Sequence, residues 1–552
     1  MTDAGIGIGT GAAAGIVARL APPPELPENE TAPSDTTTGF AQAETALHAV
    51  GRELGDRAAA TSSTASEVLL AQSMMVVDPA LLQQVRTALD EGRGVAHAVE
   101  YAFTSFADSL RAAGGYMAER AADLHDLRNR TVAHLLGEQM PGIPDPGHPF
   151  VLVAEDLAPA DTATLPADKV VAIVTELGAP TSHTAILAKS LGIPAVVSSP
   201  QARLLTDGDH VLVDGAAGSI TIDPSPATLH NVEAAATRRA ELLAASHGPG
   251  RTADGVPVSL LINIGAERDL PDAAAVDSEG VGLLRTEFLY LDSANAPTVQ
   301  EQQRSYAAVF EAFAGRKVVV RTLDAGADKP LPFVEHGDEP NPALGVRGLR
   351  LTQRKPDMLE QQLAAIAAAR ADHDADVWVM APMVSTPAEA AEFTARAEAH
   401  GLPVAGAMVE VPATALRASS VLEHCDFLSI GTNDLGQYTF AADRMAGELA
   451  GLLDPWQPAL LDLIATTAAA GNAAGKPVGV CGEAASDPLL ALVLVGLGVT
   501  SLSTSPTTVA EVRVSLARHS FDDCIALAKT ALTASDATTA RTQVSAQAGT
   551  TR

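Results

Sequence analysis

The feature that most constrains the fold is an alternation of strand-like and helical segments over residues 251–534. Eight short apolar runs are separated by longer stretches in which apolar residues recur at helical spacing. Eight parallel strands with intervening helices close into a (β/α)8 barrel. We therefore predict a C-terminal TIM-type barrel with strands at residues 258–264, 280–284, 318–320, 377–380, 404–409, 427–430, 478–480 and 501–503.

The region before the barrel predicts one all-α unit and one α/β unit, so the fold class is multidomain. Residues 39–138 have helical periodicity throughout, which predicts a helical bundle. Residues 143–226 combine buried strand-like runs with a helix, which predicts a compact α/β domain. A Gly-rich strand within residues 1–20 is expected to return to this domain, and the bundle is then an insertion in it.

Three segments are expected to lie outside the domains, two as connections and one as a tail. Residues 21–38 are rich in Pro and Thr, which is typical of a connector. Residues 227–250 predict a linker helix ended by Gly248-Pro249-Gly250, and this linker is a candidate hinge. Residues 535–552 are rich in Thr, Ala and Ser, and we expect a disordered tail there.

Charge and cysteine content restrict the partners of the chain. The 36 Lys and Arg against 67 Asp and Glu give a formal net charge of −31 at pH 7, which disfavours nucleic acid and anionic membranes. An anionic small substrate then requires a local cluster of arginines. Cys425, Cys481 and Cys524 are scattered and lack metal-ligand spacing, which predicts a reduced, cytoplasmic protein. No signal peptide or membrane span is predicted.

Arginines follow several of the predicted barrel strands at their C-terminal ends, where barrels of this kind carry their chemistry. Arg285 and Arg321 end two strands, and Arg347 and Arg444 lie in loops expected to open on the same face. Guanidinium groups bind phosphate and carboxylate in bidentate fashion. A single arginine is more often a surface residue, but four at one barrel mouth predict an anion site.

Other polar residues at these strand ends predict a metal and a proton donor. Glu410 and Asp434 end neighbouring strands and could hold Mg²⁺ with waters and substrate oxygens, or could instead pair with the arginines. Asn433 could orient the substrate or the metal shell. Cys481 is either a small buried apolar residue or a general acid. Arginines, Mg²⁺ and an acid suit phosphoenolpyruvate, because loss of its phosphoryl group leaves an enolate to be stabilised and protonated.

The segment GAPTSHTAILA at residues 178–188 offers a phosphoryl acceptor. It brings His183 to the start of a predicted apolar helix, just after the capping residues Thr181 and Ser182. A helix start suits an anion, so the imidazole could accept a phosphoryl group there. The alternative is a capped helix in which the histidine is incidental.

Two long motifs carry a resemblance to a known family: GAPTSHTAILA at 178–188 and DFLSIGTNDLGQYTFAADR at 426–444. Shorter segments at 279–289, 320–329, 341–347, 408–413 and 481–483 support it. With these motifs the chain resembles enzyme I of the bacterial sugar phosphotransferase system, the phosphoenolpyruvate–protein phosphotransferase family.

The resemblance implies a role for each candidate residue. His183 is phosphorylated on Nε2, Glu410 and Asp434 hold Mg²⁺, and Cys481 protonates the enolate. The residues implied in binding phosphoenolpyruvate are Arg285, Arg321, Lys329, Arg347, Asn433 and Arg444. The helical bundle docks a small histidine-containing phosphocarrier protein, which receives the phosphoryl group, and the family works as a homodimer through its barrels.

Two alternatives remain at this point. A pyruvate–phosphate dikinase or phosphoenolpyruvate synthase shares the His segment and the barrel, but it also needs a large ATP-binding α/β domain. Only about 100 helical residues are available here, without a Gly-rich phosphate loop. A non-catalytic phosphorylation sensor would not require the full set of arginines, carboxylates and Cys481. Phosphoenolpyruvate turnover without ATP distinguishes all three.

Overall fold

The computed structural model describes residues 5–9, 11–60, 64–113, 115–138, 140, 142–162, 165–166, 168–178, 183–291, 295–326, 331, 333–334, 339–444 and 447–550. The chain divides into two compact units, with the division between Arg239 and Ala240. The first unit contains a mixed sheet and a helical bundle, and the second contains a closed barrel.

The sheet of the first unit has seven strands in the order β1-β5-β4-β3-β2-β6-β7. Strands β2 to β5 run parallel, and β1, β6 and β7 each pair antiparallel with a neighbour. The Val- and Ile-rich central strands are buried along almost their whole length, as expected for parallel strands covered on both faces. The strands are β1 (Ile6–Ile8), β2 (Ala12–Arg19), β3 (Phe150–Ala154), β4 (Val170–Thr175), β5 (Ala195–Val197), β6 (His210–Asp214) and β7 (Ser219–Ile222).

The N-terminal segment joins this sheet, but not as the single strand predicted for residues 1–20. It forms β1 at one edge, paired with β5, and β2 in the interior, between β3 and β6. Gly9 separates the two strands at a φ of +87°, a conformation that glycine adopts without strain. A Cβ on Gly7 would lie 2.3 Å from the Gly215 carbonyl oxygen. The glycines therefore permit a turn and a close backbone contact rather than one continuous strand.

The predicted helical bundle is inserted between β2 and β3. Leu81, Val85 and Leu89 share one buried helical face, in the 3.6-residue periodicity that predicted the bundle. The Pro-rich connector before it has a defined contact, because the Glu30 carboxylate accepts hydrogen bonds from the backbone N–H groups of Ala96 and His97 at 2.9 and 3.1 Å. The helices are α1 (Thr36–Ala60), α2 (Thr64–Met75), α3 (Pro79–Asp90), α4 (Val95–Ala113) and α5 (Gly115–Leu136).

Three more helices precede the barrel. The short α6 (Pro159–Thr162) follows β3, and α7 (His183–Leu191) connects β4 to β5. The linker helix α8 (Pro226–Ala244) has no buried residue, as expected for a connection between domains.

The second unit is the predicted (β/α)8 barrel, closed by parallel pairing of its last strand with its first. All eight strands occur in the predicted order. Leu283, Val319, Met380 and Met408 form part of an apolar cluster that includes Cys481, and a larger apolar core lies among the strands and helices of the barrel. The strands are β8 (Ser259–Ile264), β9 (Gly280–Leu284), β10 (Lys317–Arg321), β11 (Asp376–Ala381), β12 (Ala405–Val409), β13 (Phe427–Ile430), β14 (Val478–Val480) and β15 (Ser501–Thr504).

Helices of varied length accompany these strands. Two short 3₁₀ segments, Pro342–Leu344 and Gly348–Gln353, flank Arg347 in the long connection after β10. The α-helices are α9 (Leu270–Ala275), α10 (Phe288–Leu291), α11 (Val299–Ala312), α12 (Pro356–Ala371), α13 (Pro387–Ala399), α14 (Pro412–Leu416), α15 (Ala418–Leu422), α16 (Thr432–Phe440), α17 (Pro458–Ala474), α18 (Pro488–Gly496), α19 (Val509–Ala517), α20 (Phe521–Thr533) and α21 (Ala537–Thr550).

The prediction of a disordered tail at 535–552 is wrong, because α21 occupies most of that segment. Ala537, Ala540, Val544 and Ala548 recur at helical spacing and are buried in the barrel's apolar core. Small side chains allow two helices to approach closely, so a composition low in large apolar residues still forms a packed helix here.

Two further sequence predictions concern the state of the cysteines and the presence of membrane-spanning helices. The three cysteines are all buried free thiols. Among the described residues, no helix combines the length and apolar character needed to cross a membrane.

Candidate functional site

Arg321 lies at the centre of a buried cluster of charges at the C-terminal end of the barrel. Arg321 is the last residue of β10, and its Nη2 forms an ion pair with Glu287, which follows β9. Its Nη1 lies 3.5 Å from Asp324 Oδ2 and 3.5 Å from Glu410 Oε1. Arg321 therefore contacts carboxylates that follow three different strands.

Arg347 enters the same cluster from the loop between the two 3₁₀ segments and is 1% exposed. Its Nη2 lies 2.9 Å from Asp324 Oδ2, and its Nε donates to Asp324 Oδ1 at 3.3 Å. Its Nη1 lies 3.4 Å from Asp434 Oδ1. A Cβ on Gly326 would lie 2.5 Å from Arg347 Cβ, so the chain approaches the arginine this closely only with glycine at that position.

The two other predicted arginines are more accessible. Arg444 Nη1 lies 3.9 Å from Asp434 Oδ2, and its side chain is 37% exposed. Arg285 is exposed at the end of β9, and its positive charge lowers the pKa of Cys481, although burial outweighs it. The structure thus brings Arg321, Arg347 and Arg444 to one carboxylate cluster, and no described ion pair joins Arg285 to it.

Asp324, Glu410 and Asp434 form that carboxylate cluster. One oxygen of each lies within 4.8 Å of the others, and all three residues are buried. Burial, with the like charges of Asp434 and Asp324, raises the pKa of Glu410 above its ordinary value. Both sequence interpretations of Glu410 and Asp434 are compatible with this geometry, because the carboxylates pair with arginines and also face one another closely enough to share a cation.

The backbone around Glu410 is shaped to hold its carboxylate. The Met383 N–H donates to Glu410 Oε2 at 2.8 Å. Met383 has a φ of +57°, which is rare for residues other than glycine. A Cβ on Gly431 would lie 2.9 Å from Glu410 Cγ, so the first residue after β13 leaves room for the glutamate.

Cys481 follows β14 and is 3% exposed, in the apolar cluster with Met380 and Met408. Burial raises the pKa of its thiol to about 11. The thiol donates to the Ile430 carbonyl at 3.5 Å. A Cβ on Gly482 would lie 1.9 Å from Thr432 Oγ1, so glycine there lets the segment after Cys481 meet the start of α16. The geometry fits a buried apolar residue and also a thiol that stays protonated.

Of the remaining predicted residues, the structure describes the contacts of Asn433 only. Asn433 is exposed in the first turn of α16, and its Oδ1 accepts a hydrogen bond from the Glu483 N–H at 3.3 Å. His183 is the first residue of α7, but its side chain lies outside the described part of the chain, as do Thr181, Ser182 and Lys329.

Sequence reasoning assigned no role to two residues that the structure places in the site. Asp324 is the third carboxylate, and Glu287 pairs with Arg321. Both residues follow predicted barrel strands, and this position is the feature of the sequence that could have identified them. Their partners depend on the path of the loops, which periodicity does not reveal.

Comparison with known proteins identifies the class to which this architecture belongs. Family models of PEP-utilising enzymes match three parts of the chain: the N-terminal model at residues 4–120, the mobile-domain model at 146–218 and the PEP-binding-domain model at 239–521. The fold and domain order are therefore those of a PEP-utilising enzyme.

Full-length relatives narrow this class. A phosphoenolpyruvate-protein phosphotransferase of Streptomyces coelicolor is 50% identical over 545 residues, covering 98% of this chain and 98% of the relative. A protein of the same name from Haloferax volcanii is 41% identical and covers 83% of this chain and 82% of its own length. The chain belongs to the phosphoenolpyruvate–protein phosphotransferase family and is an enzyme of the phosphotransferase class.

Proposed function

We propose that this chain transfers the phosphoryl group of phosphoenolpyruvate to its own His183, releases pyruvate, and passes the phosphoryl group to a histidine of a small phosphocarrier protein. This is the first step of sugar uptake by the phosphotransferase system. The observation that carries the proposal is the convergence of Arg321, Arg347 and Arg444 on three buried carboxylates at the barrel's C-terminal end. Family membership supports the same reaction.

The arginines bind the anionic substrate. The proposed set is Arg285, Arg321, Lys329, Arg347 and Arg444, with Asn433 as a neutral contact. The supporting observation is electrostatic: a chain of net charge −31 binds an anion only where cations are concentrated. Arg321 and Arg347 are already held by carboxylates, so they need little reorganisation when substrate arrives.

The residues present fit Mg²⁺. Hard cations prefer carboxylate oxygens, and Asp324, Glu410 and Asp434 offer three within reach of one ion. Burial raises the pKa of Glu410, and the like charges of Asp434 and Asp324 add to that rise; a cation bound among the three carboxylates would relieve this repulsion. Glu410 and Asp434 would hold the ion, with Asp324 as a third ligand. When bound, Mg²⁺ supplies positive charge that stabilises the developing enolate.

Two residues of the chain carry out the bond changes. His183 Nε2 attacks phosphorus in line, a P–N bond forms, and the bond from phosphorus to the enol oxygen breaks. Carbon 3 of the enolate then takes the proton of the Cys481 thiol, and pyruvate results. A thiol pKa of about 11 keeps this proton available at neutral pH.

The domains divide the remaining tasks. The bundle at residues 39–138 docks the phosphocarrier, and residues 227–250 act as the hinge that lets the domain of His183, formed by residues 1–20 and 143–226, visit donor and acceptor in turn. The barrel at 251–534 also forms a homodimer, and the enzyme works in the cytoplasm. Light scattering of the purified chain measures the dimer directly, and a cross-link across the hinge that left turnover unchanged would exclude the hinge motion.

Labelling with ³²P-phosphoenolpyruvate and Mg²⁺, without ATP, tests the proposed function. We expect acid-labile label on the wild-type chain, transfer to added phosphocarrier, and peptide mapping of the label to His183. His183→Ala should abolish the label, whereas His148→Ala, which changes an exposed histidine of the same domain, should retain it. Label that requires ATP, or that survives in His183→Ala, would contradict the proposal.

A further inference from the structure

Gln362 is a buried glutamine on α12, with 1% of its surface exposed, and it hydrogen-bonds at both ends of its side-chain amide. Its Nε2 donates to Thr286 Oγ1 at 3.1 Å and to the Tyr306 hydroxyl at 3.0 Å. Its Oε1 accepts from the Leu323 N–H at 3.0 Å. Thr286 in turn donates to the Arg321 carbonyl at 3.0 Å.

These hydrogen bonds contact the segments that follow β9 and β10, which contain most of the charged residues around Arg321. Thr286 lies between Arg285 and Glu287 after β9, and Leu323 lies between Arg321 and Asp324 after β10. A single amide on a helix outside the barrel therefore fixes one backbone segment against the other. The Glu287–Arg321 ion pair, which spans the same two segments, depends on their register.

We infer that Gln362 is a positioning residue, which sets the geometry of Arg321, Glu287 and Asp324 from behind the strand ends. This inference rests on the proposed binding role of Arg321. Gln362 itself makes no described hydrogen bond to a residue of the proposed metal or substrate set. A displacement of a binding group by about 1 Å can lower the rate on the order of 100-fold. The residues that hold Arg321 in position should therefore affect the rate strongly.

Gln302 offers a matched control. It is also a buried glutamine with 1% exposure, and it lies on α11. Its Oε1 accepts from the Tyr290 hydroxyl at 2.8 Å and its Nε2 donates to the Pro297 carbonyl at 3.1 Å. Tyr290 is hydrogen-bonded to Tyr306, so both glutamines belong to one buried network. Gln302 meets the segment after β9 only at Tyr290 in α10, and it makes no described contact with Thr286, with Glu287 or with the segment after β10.

Methionine is the substitution that separates the two roles. Gln362 lines a cavity of about 20 Å³ with Leu323 and Met358, and a space of this size holds a water molecule. A Gln362→Ala change would enlarge it and admit water to replace the lost hydrogen bonds. Methionine has nearly the length of glutamine, fills the position, and offers neither amide group.

The experiment measures kcat and KM for pyruvate formation from phosphoenolpyruvate, with Mg²⁺ and phosphocarrier, together with Tm. Gln362→Met is expected to lower kcat/KM by about 10- to 100-fold. Gln302→Met, which removes an equally buried amide, is expected to lower Tm by a similar amount but to keep kcat/KM within about threefold of wild type. Equal losses of kcat/KM in the two variants, or none in Gln362→Met, would overturn the inference.

A second variant keeps the inference testable if Gln362→Met does not fold. Thr286→Val removes the bond to the Arg321 carbonyl and is expected to lower kcat/KM by at least about fivefold. In the double variant with Gln362→Met the two losses should not multiply, because both substitutions act through the same contact, whereas adding Gln302→Met should change the loss caused by Thr286→Val by less than about threefold. Multiplying losses in the first pair would overturn it. If Arg321→Ala leaves the rate unchanged, the proposed substrate site fails instead, and this result separates the two failures.

Discussion

Arg347 and Asp324 form a two-bond ion pair inside the mouth of the barrel, with Nη2 at 2.9 Å from Oδ2 and Nε at 3.3 Å from Oδ1. Because both side chains are almost fully buried, water screens the pair little, and removal of either partner leaves a buried charge whose remaining described ion pair is longer, Asp324 with Arg321 or Arg347 with Asp434. Asp324 is also one of the three carboxylates that face one another. It therefore connects the proposed anion-binding and cation-binding parts of the site.

Asp324→Asn should weaken both functions at once. We expect kcat/KM to fall by about 10²–10³-fold, the range for loss of a preorganised charge contact, and the Mg²⁺ concentration for half-maximal rate to rise. Magnesium titrations of pyruvate formation measure both effects. Asp376→Asn, which changes an exposed aspartate at the opposite end of β11, is the control and should leave both values unchanged. An unaltered magnesium requirement in Asp324→Asn would remove Asp324 from the metal site.

Arg321→Ala should lower the rate of pyruvate formation by about 10²–10³-fold. It should also lower Tm, because Glu287 and Glu410 lose their cation. Arg321→Lys should recover little, because an ammonium group does not reproduce the planar fork. Arg396→Ala, at a partly exposed ion pair with Glu392, is the control. A rate loss under about threefold in Arg321→Ala would exclude Arg321 from substrate binding.

Cys481→Ala should slow pyruvate formation more than it weakens phosphoenolpyruvate binding. Because the pKa of the thiol is raised to about 11, the thiol stays mostly protonated up to about pH 10, and the wild-type rate should show no more than a slight alkaline fall due to Cys481 below that pH. Rate and calorimetric binding measurements across pH 6.5–9.5 test both points. Cys425→Ala and Cys524→Ala change the other two buried thiols and should leave the rate unchanged.

Asp161→Asn should alter how stability depends on pH. Burial and the neighbouring Asp126 raise the pKa of Asp161 from 3.8 to about 6, although Arg130 lies 3.2 Å away. Between these values the folded chain binds the proton more tightly than the unfolded chain, so stability falls as pH rises through the window, by up to about 3 kcal/mol.

The measurement is the difference in Tm between Asp161→Asn and wild type from pH 4 to 7, and this difference should become more positive as pH rises. Asp145→Asn is the control and should give a nearly constant difference over this range, because the hydrogen bond from Lys169 lowers the pKa of the exposed Asp145 below its ordinary 3.8, outside the measured window. A constant difference for Asp161→Asn would show that its carboxyl does not titrate in this range.

The fold was more predictable from sequence than the site. Each barrel strand is a short apolar run bounded by turn residues, so local periodicity alone located all eight. The tail failed because its helix is stabilised by packing on α20, which composition does not encode. Similarly, β7 was not predicted, because it has only four residues and is largely exposed, and its pairing with β6 makes it a strand.

For the site, the sequence located the arginines and two carboxylates but not their pairing. Asp324 lies three residues after Arg321, yet its closest described partner is Arg347, brought near by a loop that Gly326 allows to pass. Contacts of this kind depend on tertiary geometry. The same holds for Gln362, whose helix carries apolar residues around it and no local mark of a contact with the strand ends.

The left-handed backbone at Met383 has a consequence for protein engineering. A common stabilising strategy replaces non-glycine residues of positive φ with glycine, which relieves about 1 kcal/mol of strain. Met383 would be selected by that rule, but its side chain is 1% exposed, and burial of a methionine contributes roughly 1.5–3 kcal/mol. Glycine there would keep the backbone N–H that donates to Glu410 but would lose the buried side chain, so the enzyme would become less heat-resistant and designers of a more stable variant should leave this residue unchanged.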